Sequence, residues 1–252
     1  MKRSFLVFFL LSSFGAMLAF ADSPADLLAE SDARRTIPDL NFAVQVTAYD
    51  GEAVSDQSLL WGILKLGKDH NRVLMSFRAP ASKHGQKFLV DGDAVYVLFE
   101  HTTNPIRVSP LEVLTGQASD GDVIRTFATD YNADSMEQSS FEDKPALHFK
   151  LVAKEGANTS SYATVQLWID PRSLRLEYAE FHAASGVLLK KAYYRDYQSI
   201  LGRDVPMTVD IFAGDDAKKH TKMVFLKYAK LVLADTMFRR TALNFWTPEE
   251  PR

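Results

Sequence analysis

The side chains most able to do acid–base or metal chemistry in this 252-residue chain are six histidines: His70, His84, His101, His148, His182 and His220. They are scattered, and no two stand at a usual metal-ligand spacing, so each reads as a surface or strand-edge residue. The chain has no cysteine, which removes thiol nucleophiles, thiolate metal sites and disulfides together. Asp91 and Asp93 flank Gly92, but the other ligands of a calcium loop are missing and a hairpin turn accounts for them. Asp130 with Asp134, and Asp215 with Asp216, read as solvated loop acids rather than catalytic pairs. No G-x-S-x-G elbow, Walker loop, H-E-x-x-H or G-x-G-x-x-G occurs. Asn158-Thr159-Ser160 matches a glycosylation sequon and reads as a plain loop between strands. The residues therefore predict a protein that is not an enzyme, with no catalytic residue, no metal and no cofactor.

The elements around these residues begin with an export leader. Lys2 and Arg3 precede an apolar run from Phe5 to Leu11, and Ala19-Phe20-Ala21 closes it, the order read by signal peptidase. A signal peptide over 1–21 and one mature domain over 22–252 are the expectation. No cysteine stands at the cleavage point for lipid attachment, so the product is expected in the periplasm, unanchored and monomeric. The formal net charge of −3, without a basic block, leaves no footprint for nucleic acid.

Most of the mature chain reads as short strands separated by turn chemistry. Phe42, Val44 and Val46 alternate up to the Asp50-Gly51 turn; Ser58–Leu66 comes next, then Val73–Phe77, stopped by Pro80. Gln86–Val90 and Ala94–Phe99 flank Asp91-Gly92-Asp93. Further strands are expected at Ala146–Val152, Tyr162–Ile169, Leu174–His182, Val187–Tyr194, Pro206–Phe212 and Lys222–Leu233. Ten or eleven strands joined by short loops imply an antiparallel meander. Two helices are predicted: one capped by Ser23 and opened by Pro24, through about Arg34, and one over Asp122–Asn132 from the spacing of Val123, Ile124, Phe127 and Tyr131.

Alternation fails in three places. Leu59–Leu64, Ala94–Phe99 and Met223–Leu226 are apolar on both faces, whereas a sheet with one wet face alternates. Both faces of these strands need cover, from a closed or sandwiched core or from a curved sheet around an apolar cavity.

The order of motifs then carries a resemblance. Phe77-Arg78-Ala79-Pro80, Gly85–Leu89, Asp91–Val97, Arg107-Val108-Ser109, Gly116–Asp122, Tyr194–Tyr197 with Ile200-Leu201-Gly202, Val205-Pro206 and the closing Leu233-Ala234-Asp235 with Phe238 and Leu243 resemble the outer-membrane lipoprotein-sorting-like proteins. These are relatives of the periplasmic lipoprotein carrier LolA. The likeness spans nearly the whole mature chain, with Val95 standing where the family often has tryptophan or another large residue. It implies a mainly β fold: a strongly bent antiparallel sheet, an unclosed half-barrel, with a few helices covering its concave side. It also implies a non-enzymatic carrier holding an acylated lipid or lipoprotein cargo, received from an inner-membrane transporter or permease. The alternative is a periplasmic sensor module acting through a membrane partner. The expected cavity lining is Phe42, Trp61, Met75, Phe77, Phe88, Tyr96, Met223 and Phe225, with Val123, Ile124, Phe127 and Tyr131 on a lid.

Overall fold

A computed structural model describes residues 22–67, 70–92, 94–108, 113–119, 126–155 and 162–252. The leader over 1–21, Val123 and Ile124 lie outside these residues. Helix α1 (Pro24–Arg35) starts where the sequence says it should. Ser23 accepts a hydrogen bond from the Asp26 amide at 3.2 Å, and Pro24 occupies the first turn, where a missing N–H costs nothing.

Strands continue the chain in two meanders. The first is β1 (Leu40–Asp50), β2 (Ala53–Lys65), β3 (Arg72–Ala79), β4 (Lys87–Asp91), β5 (Ala94–Leu98) and β6 (Ile106–Val108). A small hairpin, β7 (Val113–Thr115) and β8 (Ala118–Ser119), and a single helical turn, α2 (Phe127–Asp130), lead to the second. That one is β9 (Tyr131–Phe141), β10 (Lys144–Ala153), β11 (Thr164–Ile169), β12 (Leu176–His182), β13 (Leu188–Ile200), β14 (Arg203–Ala213) and β15 (Asp216–Lys230).

The meanders join through antiparallel β1 and β15, giving one unclosed, bent 13-stranded sheet in the order β6-β5-β4-β3-β2-β1-β15-β14-β13-β12-β11-β10-β9. This is the half-barrel that the sequence predicts, with more strands than the ten or eleven counted there. The additions are β6, the β7–β8 pair and β9. The predicted second helix is corrected: within the described residues it is one turn ending at Asp130, and Tyr131 and Asn132 already belong to β9. The polar run Asn132–Ser140 lacks the apolar alternation by which the other strands announce themselves.

The concave face holds the main core. Phe42, Val44 and Val46 of β1, Val73, Met75 and Phe77 of β3, and Val165 and Leu167 of β11 are all at most 2 % exposed. Glycine is required at two close approaches. A Cβ on Gly62 would sit 2.6 Å from the Phe42 ring, and one on Gly116, at the β7–β8 turn, would collide with Thr221 and Ala48. That turn is pinned inside the bend, its Gln117 amide donating to Thr221 Oγ1 at 2.6 Å.

A second, smaller core lies on the opposite, convex face. Ile63, Leu74, Leu89 and Leu98 are covered there by Leu233, Phe238 and Leu243 of the C-terminal segment, which crosses in two 3₁₀ turns, Asp235–Phe238 and Arg240–Asn244. Lysines of the sheet hold it by its carbonyls: Lys65 donates to Leu233 (2.6 Å), and Lys87 to Leu243 (3.0 Å) and Trp246 (2.6 Å). This segment covers Ile63, Tyr96 and Leu98, the convex-face members of the runs Leu59–Leu64 and Ala94–Phe99 that meet it.

Candidate ligand-binding cavity

The concave core is not solid throughout. Where the C-terminal end of α1 passes over the centre of the sheet, a cavity of about 90 Å³ opens. Ile37, Leu40, Phe42, Leu64, Leu66, Val205, Val209 and Phe225 form its apolar walls, with Arg35, Tyr194 and Tyr228 as its polar groups. Phe42 meets Phe225 edge-on at 6.4 Å, and Phe225 stacks on Tyr228 at 5.5 Å. Burial pushes the Tyr228 hydroxyl up from its ordinary range.

Alternation along each strand decides which predicted lining residues can meet. Phe42, Met75, Phe77, Phe88, Met223 and Phe225 share the concave face, but only Phe42 and Phe225 border the cavity. Met75, Phe77 and Met223 are at most 2 % exposed in the filled core, where Phe77 packs edge-on to Phe88 at 5.4 Å. Trp61 and Tyr96 stand on the other face. Trp61 lies opposite Ala43 and Ser76 in register and carries the Arg78 guanidinium over its ring at 4.6 Å. Tyr96 packs against the second core, under Arg240 at 5.5 Å. These two are corrections to the expected lining: side chains one residue apart point to opposite faces, so a run apolar on both sides does not tell which parity turns inward. The walls missed from sequence, Ile37, Leu40, Leu64, Leu66, Val205 and Val209, are ordinary aliphatic residues. Alternation signals an inward face for Leu40 in β1 and for Val205 and Val209 in β14.

The roof over the cavity is fastened by charge. α1 buries Leu27, Leu28, Ser31 and Asp32. Asp32, 5 % exposed, accepts from the Ala128 amide at 2.7 Å and pairs with Arg35, whose guanidinium lies 5.2 Å above the Phe127 ring. Burial pushes the Asp32 carboxyl up, against the pull of Arg35 and the Ala128 amide. Burial also works against the Arg35 charge, yet Asp32, with Tyr194 and Tyr197, holds it above its ordinary value. Ser31 Oγ donates to the Leu174 carbonyl at 2.9 Å and Arg203 to Ala33 O at 2.7 Å. Of the expected lid, Phe127 and Tyr131 are each 1 % exposed. Phe127 stacks on Phe181 at 6.3 Å, and the Tyr131 hydroxyl donates to Tyr162 O at 3.1 Å.

Nothing in this arrangement sets a nucleophile beside a base. Among the described residues, no group of three or more His, Asp and Glu side chains is placed to hold a metal ion. No helix among them is long and apolar enough to cross a membrane.

A family model described only as uncharacterized-protein-like matches residues 69–244, and no curated protein matches. Solved structures share the fold over most of its length. A LolA superfamily protein from Nitrosomonas europaea superposes with a TM-score of 0.75 at 25% identity, over 85% of this chain and 97% of its own. An outer membrane lipoprotein-sorting protein domain from Vibrio parahaemolyticus gives 0.75 at 16% identity, over 87% and 97%. A DUF1329 family protein from Desulfovibrio piger gives 0.73 at 19% identity, over 87% and 97%.

Proposed function

Since this chain belongs to the outer-membrane lipoprotein-sorting-like family, the relatives of LolA, we propose that it is a periplasmic carrier. In this reading it takes an acylated lipid or lipoprotein from an inner-membrane transporter and shelters the acyl chain between α1 and the sheet. The observation that supports the reading is the apolar cavity under α1, roofed by a helix that polar bonds hold in place.

Magnitudes set what the carrier must do. An acyl chain of roughly 16 carbons leaving a bilayer loses about 13 kcal/mol at ~0.8 kcal/mol per methylene, so only continuous burial keeps it in solution. The cavity, at about 90 Å³, is smaller than the roughly 300–1,000 Å³ of drug-sized ligand sites. Cargo therefore enters only if α1 lifts from the sheet. The polar bonds that must yield are Ser31 to Leu174, Arg34 to Ser173, Arg203 to Ala33, and Asp32 to the Ala128 amide, together with the buried contacts of Leu27 and Leu28.

The test is native mass spectrometry, with lipid extraction, on protein expressed with residues 1–21 and recovered from a periplasmic fraction. A co-purifying acylated species, absent from a Phe225→Asp variant that still folds, supports the carrier and identifies its cargo. Protein recovered empty, and unable to take up a fluorescent fatty-acyl probe, overturns it.

A further inference from the structure

The two edges of the sheet are finished differently. β6 spans only Ile106–Val108, too short to template another strand. β9 spans 11 residues, and among the described residues its only strand partner is β10. From Ser135 to Phe141 the register with β10 is unbroken, and residues 137–140 are exposed. Glu142 and Asp143 form a two-residue turn, both with positive φ (47° and 62°), so Phe141 and Lys144 make the hydrogen-bonded closing pair. Ser135, Glu137 and Ser139 then direct their backbone groups to β10, while Met136, Gln138 and Ser140 direct theirs outward. Natural edges are commonly blunted by lysine, proline or a bulge. β9 has a bulge only at its start, opposite Lys150 and Leu151, and no lysine or proline.

We infer that Ser135–Phe141 is a docking edge for an extended segment of a partner protein whose side chains alternate basic and apolar. Charge selects this occupant over a second copy of the chain. Residues 130–143 contain Asp130, Asp134, Glu137, Glu142 and Asp143 and no basic residue. Two copies paired antiparallel about Gln138 would bring Asp134 of each against Glu142 of the other, whose charge Arg195 offsets at 2.9 Å, and set Glu137 of each beside the same acidic strand. Like charges placed opposite each other destabilise a sheet. A lysine or arginine beside Glu137, whose side chain is 65% exposed and touches His148 Nδ1 at 3.0 Å through one oxygen, meets a carboxylate instead. The basic Lys144 and Lys150 lie on β10, one strand further from an added chain. On the concave side, Met136 is half-buried against the main core, so an apolar residue next to it extends that core. Added main-chain bonds supply affinity and the alternating side chains supply specificity.

The probe is a ten-residue peptide alternating lysine and valine, titrated into the isotope-labelled protein while backbone amide resonances are followed. The expected result is saturable binding with shifts concentrated at 134–141, weakened about tenfold or more by Gln138→Pro, which removes an outward N–H but no bond to β10. Glu137→Lys tests the charge separately, so the inference stays exposed if the proline variant fails to fold. Absence of saturation by about 1 mM, shifts confined to cavity residues, or binding unchanged in Glu137→Lys would overturn it. So would a dimer of the chain alone that Gln138→Pro dissolves, since that assigns the edge to a second copy.

Discussion

The two halves of the sheet are built from the same kind of strand and finished in opposite ways. From Leu60 of β2 through β5 both faces have cover, the concave one in the main core and the convex one, at Ile63, Leu74, Leu89 and Leu98, beneath Phe238 and Leu243. In β10–β15 the convex face lies open and carries a row of rings instead. His148 stacks on Trp168 (4.3 Å), Trp168 tilts against Tyr178 (5.1 Å), and Tyr178 against Tyr193 (4.8 Å). Tyr193 meets Phe212 (5.6 Å), Phe212 stacks on His220 (5.0 Å), and His220 on Tyr49 of β1 (4.5 Å). These spacings follow the ~4.8 Å between neighbouring strands: each ring covers the next where, among the described residues, no second layer lies above. The half roofed by its own C-terminal segment is the doubly covered wall. The cavity opens where that half meets β13–β15, below a helix held by Leu27 and Leu28 and by polar bonds.

This contrast breaks or sharpens under substitution. The largest effect is expected from Phe238→Ala, which uncovers Leu74 and Leu89 and should cost about 3–5 kcal/mol in urea unfolding. Tyr193→Ala, in the open ring row, loses ring contacts to Tyr178 and Phe212 at about 0.2–1 kcal/mol each and should cost less. Equal costs would mean that the halves are not differently sealed. Next is Arg35→Met, which leaves the Asp32 carboxyl buried without its cation, a loss of about 3 kcal/mol or more at pH 7. Burial already raises that carboxyl, and the variant raises it further. The folded variant therefore takes up the proton more readily than the unfolded chain, and the penalty grows as pH rises through the raised value. Unfolding midpoints should differ less between variant and parent at pH 4 than at pH 7. Gly62→Ala should cost about 1–3 kcal/mol by overpacking, because its methyl meets the Phe42 ring, and should lower the affinity for acyl probes. The smallest effect is that of Asp235→Asn. Hydrogen bonds and charge from Lys65 and Arg72 hold that exposed carboxyl below its ordinary range, and the resulting shift in Tm should vanish in high salt.

The open half was the more legible in the sequence. Thr164–Ile169 alternates cleanly between buried and half-buried residues, as a strand with one wet face must. The runs that broke alternation did mark double cover at Leu60–Leu64 and Val95–Leu98, though Phe99 is 47% exposed, and the covering residues lie more than a hundred positions away, beyond any local pattern. Met223–Leu226 shows the limit of the rule: Leu226 is 48% exposed, so its apolar outer face has no such roof. β9 was missed because an edge strand needs little apolar content. The cavity was half legible. Phe42 and Phe225 were visible as strand aromatics, whereas Arg35 and Tyr228 matter only because the end of α1 and β15 border the same cavity, a tertiary fact.

The measurement that bears most directly on the account is a fatty-acyl probe titration of two folded variants carrying the same chemical insult on opposite faces, Phe225→Asp and Tyr193→Asp. The account predicts that the charge at Phe225 abolishes probe uptake, while the charge at Tyr193 leaves it within about twofold of the parent, less than ~0.5 kcal/mol. Loss of uptake in Tyr193→Asp with retention in Phe225→Asp would place the ligand on the outer face and contradict the account.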